Sequence, residues 1–525
     1  PPPPRPPARP PRPPAPPPPP PRAPRPPPPP GRPRPPGGRG ARPRMHHTAP
    51  DPTDAAADPA RVTAPPGARA RRRPLALALG LALPRTLVAA GAQGAGAEGE
   101  QGDAAEPAPS ATSDVSEAAA LTPRLAITYD GGVQVLDATT LEVVDDLELD
   151  GFNRLNPAGD GRHLLVSTSG GFQVLDAGTW AEPHGDHAHY YTADPVLTDV
   201  TYAAEKPGHV VVHDGRTALF DDGTGEITVL DSATVADPHG IDDARTLTTP
   251  AAHHGVAVEL SDGSLVVSEG TEDARTGVRL LDAAGDEVSA NDQCPGVHGE
   301  AVAAGEAVVI GCEDGVLVVA GGAITKVAAP DAYGRIGNQA GSEASPVVLG
   351  DYKSDPDAEL ERPTRVSLVD TRDASLRLVD LPASYTFRSL GRGDAGEALV
   401  LGTDGSLHVI DPESGTVVRS VPVVGAWEEP EEWQEPRPAL FVQDGIAYVT
   451  DPAGRAIHAV DYVGGEVWKS AELDVVPNEL NGVTGKPATT GGHEADEHAH
   501  EDGEHGHDEP AHDEHEGHDH EHEDG

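Results

Sequence analysis

From Leu121 to about residue 480 the chain repeats one hydrophobic pattern. A short alternating apolar run meets a Gly-containing turn, and a further apolar run ends in Val-Leu-Asp or a close equivalent. The instances are Val135-Leu136-Asp137, Val174-Leu175-Asp176, Val229-Leu230-Asp231, Leu280-Leu281-Asp282, Leu368-Val369-Asp370, Val409-Ile410-Asp411 and Ala459-Val460-Asp461, with a degenerate copy at Val318-Val319-Ala320. Asp-Gly pairs precede many of them, at Asp130-Gly131, Asp262-Gly263, Asp314-Gly315, Asp404-Gly405 and Asp444-Gly445. Asp-Gly between alternating apolar runs predicts a hairpin, because both turn positions tolerate positive φ. The markers recur at intervals from the high thirties to the mid fifties, with four short strands per unit and no helical period. That is the signature of an all-β chain folded as a β-propeller. Eight markers predict eight blades, or seven if one marker is a false repeat. The first unit lacks an inner strand of its own, so Asn478–Thr484 is expected to supply it and close the ring. The G-H…W-D signature of WD40 arrays is absent.

The pattern covers only part of the chain. Residues 1–68 open on a stretch of Pro and Arg that cannot bury a core. They read as a disordered or polyproline II extension, or as an over-extended translation of GC-rich DNA. Residues 69–92 resemble a signal peptide, with Arg69 to Arg73 as the basic part, Leu75 to Leu83 as the apolar part and small residues after it. Residues 93–120 read as a flexible acidic linker. The propeller is expected over 121–486, and 487–525 is a tail of His, Asp and Glu.

Charge narrows the partners. The chain has 86 acids against 38 bases and a net charge of −48, which argues against nucleic acid and anionic membrane. The apolar part of the signal peptide is too short to span a bilayer, so no transmembrane segment is expected after its removal. A monomer is expected. Cys294 and Cys312 are the two cysteines. In an exported chain they read as a disulfide, which a hairpin turning near Gly305 makes geometrically reasonable. Two unrelated thiols, or a thiolate zinc site needing further ligands, are the alternatives.

The candidate chemistry is histidine. His184-Gly185-Asp186-His187-Ala188-His189-Tyr190-Tyr191 puts three imidazoles and a carboxylate within six residues. In an extended segment His187 and His189 share a face, and neutral imidazole with carboxylate suits Zn²⁺. The repeat aligns two more. Ala252-His253-His254-Gly255 and Gly296-Val297-His298-Gly299-Glu300 each present His-Gly where an inner strand enters the ring. His254 and His298 are therefore expected side by side at one mouth of the channel. The His184–His189 stretch, read as the connection before the preceding inner strand, is expected to arrive there too. The expected ligands are His187, His189, His254 and His298, with Asp186 or a water as alternatives. His184, His253 and His209 (in Lys206-Pro207-Gly208-His209) are second choices. The structural alternative is a His-Gly pair hydrogen-bonded across blades.

The tail offers a second kind of site: His493, His498, His500, His505, His507, His512, His515, His518, His520 and His522 among acids. Such a chain binds several zinc ions loosely, because ordering it costs conformational entropy. The parts of a catalyst are missing: there is no G-x-S-x-G elbow and no H-E-x-x-H, so no enzyme activity is expected.

The stretches His184–Tyr191, Lys206–His209, His253–Gly255 and Cys294–Glu300 resemble the AztD zinc metallochaperones that accompany bacterial zinc ABC importers. The resemblance implies a propeller that binds Zn(II) outside the cytoplasmic membrane, periplasmic or secreted. It also implies transfer of the ion to the solute-binding protein of a zinc ABC transporter. In that family a flexible His-rich segment lies N-terminal; here the dense tract is C-terminal. Two other classes stay open on the residues alone. One is a propeller enzyme of lactonase or quinoprotein type, with Asn338, Asn478 and Glu479 along the channel. The other is a protein-interaction propeller with a metal-buffering tail.

Overall fold

A computed structural model describes residues 115–185 and 187–487. The expected signal peptide, Asp186, the ten tail histidines and most of the expected linker lie outside the described residues. Among the described residues no helix is long and apolar enough to cross a membrane.

The regular elements of the described chain are strands apart from two short 3₁₀ turns, and the strands form eight four-stranded antiparallel blades plus a ninth, three-stranded sheet. One blade carries a short fifth strand, Gly334–Arg335. Each Val-Leu-Asp marker closes the third strand of its blade, as in Gly131–Asp137, Ser406–Asp411 and Ala456–Asp461. The aspartate then accepts backbone N–H groups of the turn that follows: Asp137 from Thr139 and Thr140, Asp411 from Ser414, Asp461 from Gly464. This is the local reason the repeat keeps a carboxylate there. The degenerate copy ends in Ala320, and its turn is made by Gly321 and Gly322 at φ +56° and +82°, a conformation open to glycine without steric cost.

Burial follows strand position. Second and third strands are apolar and buried on both faces, as in Ala398–Leu401, because blades stack face to face. Outer strands alternate, and Glu466–Glu472 is exposed at every second residue. The core is therefore a ring of interfaces between blades. One interface packs Val258, Val266 and Val278 of the fourth blade against Val308, Ile310 and Leu317 of the fifth. Another packs Leu125 and Leu136 of the first blade against Tyr448 and Ile457 of the last.

The ring closes as the pattern predicts. Leu480–Val483 pairs antiparallel with Arg124–Tyr129, placing the last strand innermost in the first blade. Two features depart from the sequence reading. The described structure begins before Leu121: Ser116–Ala118, within the expected linker, forms a strand against His187–Thr192. The His184–His189 stretch does not lead into an inner strand. It is a hairpin, Thr179–His184 and His187–Thr192, inserted between the third strand of the second blade (Gly171–Asp176) and its outermost strand (Val196–Ala203).

Candidate metal centres

Three successive blades each bring one histidine to the start of an inner strand. His209 lies near the start of Pro207–His213, just inside a register shift. His254 precedes Ala257–Glu259, and His298 precedes Glu300–Ala303. The three converge: His209 Nε2 is 3.3 Å from His254 Nε2, which is 3.2 Å from His298 Nε2. One ligand atom from each lies within 4.8 Å of the others.

Every ring is held from behind by an oxygen. His254 Nδ1 lies 2.5 Å from Asp222 Oδ2, His298 Nδ1 2.5 Å from the Gly337 carbonyl, and His209 Nδ1 3.2 Å from Glu300 Oε2. A carbonyl cannot donate, so His298 Nδ1 carries the hydrogen, and in the neutral ring Nε2 presents a lone pair. Asp222, accepting from His254 Nδ1, selects the same tautomer there, and the Glu300 carboxylate beside His209 Nδ1 favours it for the third ring. The contact to Glu300 is charge proximity rather than an aligned hydrogen bond, for Oε2 is buried with no aligned donor. The Gly337 carbonyl is itself fixed, since Asp351 accepts the N–H groups of Gly337 and Asn338 at 2.7 and 3.0 Å.

This donor set fits Zn²⁺. Ligands about 2.05 Å from the ion at tetrahedral angles stand about 3.3–3.4 Å apart, close to the two spacings seen. Three imidazoles leave one position open, and two carboxylates behind them offset the charge of the ion. Without a cation or a shared proton, three lone pairs at this spacing repel.

The glycines beside these histidines are needed for the approach. A Cβ on Gly255 would fall 2.2 Å from the Phe220 ring. Gly299 sits at φ +72°, where a Cβ would meet the Gly337 carbonyl that orients His298. Both explain why His-Gly recurs. Behind His298, Cys294 and Cys312 form a disulfide with Cα atoms 5.0 Å apart, buried in the interface between the fourth and fifth blades.

Electrostatics favour cation binding. Burial alone would lower the His209 imidazole, but the Glu300 and Asp222 carboxylates outweigh it and raise the group above the ordinary histidine value. His253, the neighbour of His254, is built differently. It is buried, its Nδ1 faces the Ala251 carbonyl at 2.9 Å and its Nε2 faces Ser268 Oγ at 3.0 Å. Burial lowers its pKa, so it serves the fold as a neutral ring.

His184, His187 and His189 form a second trio, again with ligand atoms within 4.8 Å. His184 Nδ1 and His187 Nε2 are 3.4 Å apart. The structure thus divides the expected set of His187, His189, His254 and His298 between two places. No metal-sized group joins the two pairs among the described residues. The hairpin leaves from the outer half of its blade, and His209, a second choice on sequence, takes the third position at the mouth.

No family model matches the sequence. The zinc chaperone AztD of Citrobacter koseri is 28% identical over 385 residues, spanning 69% of this chain and 89% of that protein. Its crystal structure superposes with a TM-score of 0.60 at 27% identity, covering 69% of this chain and 98% of that one. The chain is an AztD homologue. The apo structure of Citrobacter koseri AztD matches equally, with a TM-score of 0.59 at 26% identity and 98% of its chain covered. Likeness to AztD therefore extends over nearly the whole of that protein and over the propeller that carries the channel-mouth trio here.

Sequence reasoning missed the residues behind the rings. Asp222 opens a turn 32 positions before His254. Gly337 contributes only a carbonyl. Glu300 stood inside a quoted motif without a role.

Proposed function

We propose that this protein is a zinc metallochaperone acting outside the cytoplasmic membrane, which holds Zn²⁺ at the channel mouth and passes it to the solute-binding protein of a zinc ABC importer. The observation that carries this reading is the convergence of three Nε2 atoms at 3.2–3.3 Å with an oxygen behind each ring. Similarity to a zinc chaperone over 69% of the chain supports zinc as the cargo. The disulfide supports an oxidising, extracytoplasmic compartment. The tail histidines would collect zinc ions loosely and raise their local concentration.

The open coordination position is what transfer needs. An imidazole or carboxylate of the acceptor enters there before a ligand leaves, so the ion is never released as aquo zinc. Three histidines with an open position also occur in hydrolytic zinc sites. Here the contacting carboxylates stand on the Nδ1 side of the rings, where they orient ligands rather than face a zinc-bound water. That favours carriage over hydrolysis.

The test is transfer under competition. Zinc-loaded protein is mixed with the apo solute-binding protein in the presence of a chromophoric chelator. The expected result is acceptor loading without chelator colour, lost in His254→Ala and His298→Ala. Interception of all the zinc by the chelator would overturn the reading.

A further inference from the structure

The hairpin inserted in the second blade has the register of a designed site rather than a loose His-rich loop. Gly185 turns the chain at φ +62°, and His184 stands directly opposite His187. Two positions further along, His189 stands opposite Glu182, and two further, Tyr191 stands opposite Trp180. Directly opposed residues, and those two apart, share one face of a sheet. All three imidazoles therefore lie on one face. So do Trp180 and Tyr191, which stack at 5.5 Å. Glu117 of the strand Ser116–Ala118 stands opposite Tyr191 on that same face and brings Oε1 to 3.0 Å from His189 Nδ1. The base of the hairpin is anchored, with the Arg162 guanidinium 3.9 Å over the Trp180 ring and paired bidentately with Asp176. A rigid base thus presents three converging ring nitrogens at an exposed tip.

We infer that this face is a second zinc site, separate from the channel mouth, which takes up and releases Zn²⁺ faster than the mouth does. The contrast in surroundings gives the difference in rate. At the mouth the Asp222 and Glu300 carboxylates are 8% and 15% exposed. On the hairpin His189 and Glu117 are 40% and 64% exposed. Water and salt screen the outer pair, and incoming ligands reach the ion without crossing protein. The outer site is where zinc enters or leaves, and the inner site is where it is kept. The inference rests on zinc being the cargo, but needs no partner protein for its test.

The test uses the full chain and ZnSO₄. Equilibrium dialysis counts the zinc bound by the wild type, by His187→Ala/His189→Ala and by His254→Ala; mixing with excess chelator then times its release. Tail binding is common to all three and cancels in the comparison. The expected result is one fewer rapidly released equivalent in the hairpin variant and one fewer slowly released equivalent in His254→Ala. Zinc is also expected to change Trp180 emission in the wild type and in His254→Ala, but not in the hairpin variant or in Trp180→Phe. Glu117→Gln, which keeps all three ligands, should weaken the rapid site by about 10-fold. An unchanged zinc count in the hairpin variant overturns the inference, as does an emission change that survives it. Either failure leaves the mouth site and its transfer role standing, because those are read from the slowly released equivalent.

Discussion

His254 and His298 belong to adjacent blades, 44 residues apart, and hold their Nε2 atoms 3.2 Å from each other. No side-chain packing asks for two imidazole edges to meet in this way. Each ring is pinned by an independent acceptor, Asp222 on one blade and the Gly337 carbonyl on the other side. Replacing either histidine by alanine removes one of the three converging imidazoles of the proposed site. The expected loss in affinity for the tightly held zinc exceeds the ~10–100-fold that outer-shell changes typically cause. A competition titration against a chromophoric chelator reads it, and near-wild-type affinity in both variants would reduce the trio to a structural feature.

Asp222→Asn isolates the outer shell. The amide keeps the shape and an acceptor oxygen, but loses the charge that makes His254 a better donor. Zinc affinity should fall about 10–100-fold with the fold intact, since the Gly255 N–H can still be accepted. A wild-type affinity in this variant would mean that the 2.5 Å contact serves only to place the ring.

Zinc binding should displace a proton near neutrality. A ligating imidazole must be neutral at its metal-facing nitrogen. His209 is raised by its carboxylate neighbours despite burial, so protons compete for it to a higher pH than for an ordinary histidine. Affinity is therefore expected to tighten as pH rises from 6 to 8. Calorimetry in two buffers of different ionisation enthalpy should show proton release at pH 7. A pH-independent affinity over that range would place a different nitrogen, or a different residue, on the ion.

Much of this was legible in the chain, for identifiable reasons. Blade count, ring closure and the His-Gly entries follow from a repeat whose Asp markers cap equivalent turns, so residues at the same offset from a marker occupy equivalent positions. The disulfide follows from a hairpin that brings its ends together. The hairpin's location was not legible from the same alignment, because nothing in His184–Tyr191 says which strands flank it. One signal was available: the longest interval between markers runs from Asp176 to Asp231, and the inserted hairpin lengthens it. His209 was under-ranked because it sits inside a strand, after Gly rather than before it. Asp222 and Gly337 were out of reach, since contacts between blades depend on how neighbouring turns approach, which spacing along the chain does not encode.

The Cys294–Cys312 bridge closes a loop of 18 residues within a buried interface. On loop-closure grounds it contributes about 3 kcal/mol. Cys294→Ala/Cys312→Ala should lower the thermal midpoint of the zinc-free protein clearly. It should weaken zinc binding less than His298→Ala does, because the Gly311 carbonyl still receives the His298 N–H and the Gly337 carbonyl still faces the ring. Affinity as poor as that of His298→Ala would show that the bridge, rather than the backbone, positions the ligand.

A buried histidine that belongs to neither trio gives the fold its own pH dependence. His163 Nδ1 contacts Asp160, its Nε2 lies 3.7 Å from Asp176, and Arg162 holds Asp176 from the side. Burial alone would lower this imidazole, but the hydrogen bonds and charges of the two aspartates outweigh it and push it up to about 9. The same contacts hold Asp160 below the usual carboxylate range. For a group raised on folding, the stabilisation is complete below the unfolded value near 6.5 and is lost as pH climbs through 9. The carboxylates act in the opposite sense, and their share is lost only in acid, below about pH 4. At roughly 1.4 kcal/mol per pKa unit, the histidine contributes on the order of 3 kcal/mol between these limits. The thermal midpoint of the wild type should therefore exceed that of His163→Gln most at pH 5–6, and the gap should narrow steadily to pH 9.5. A constant gap across that range would mean that His163 acts by packing and hydrogen bonding as a neutral ring.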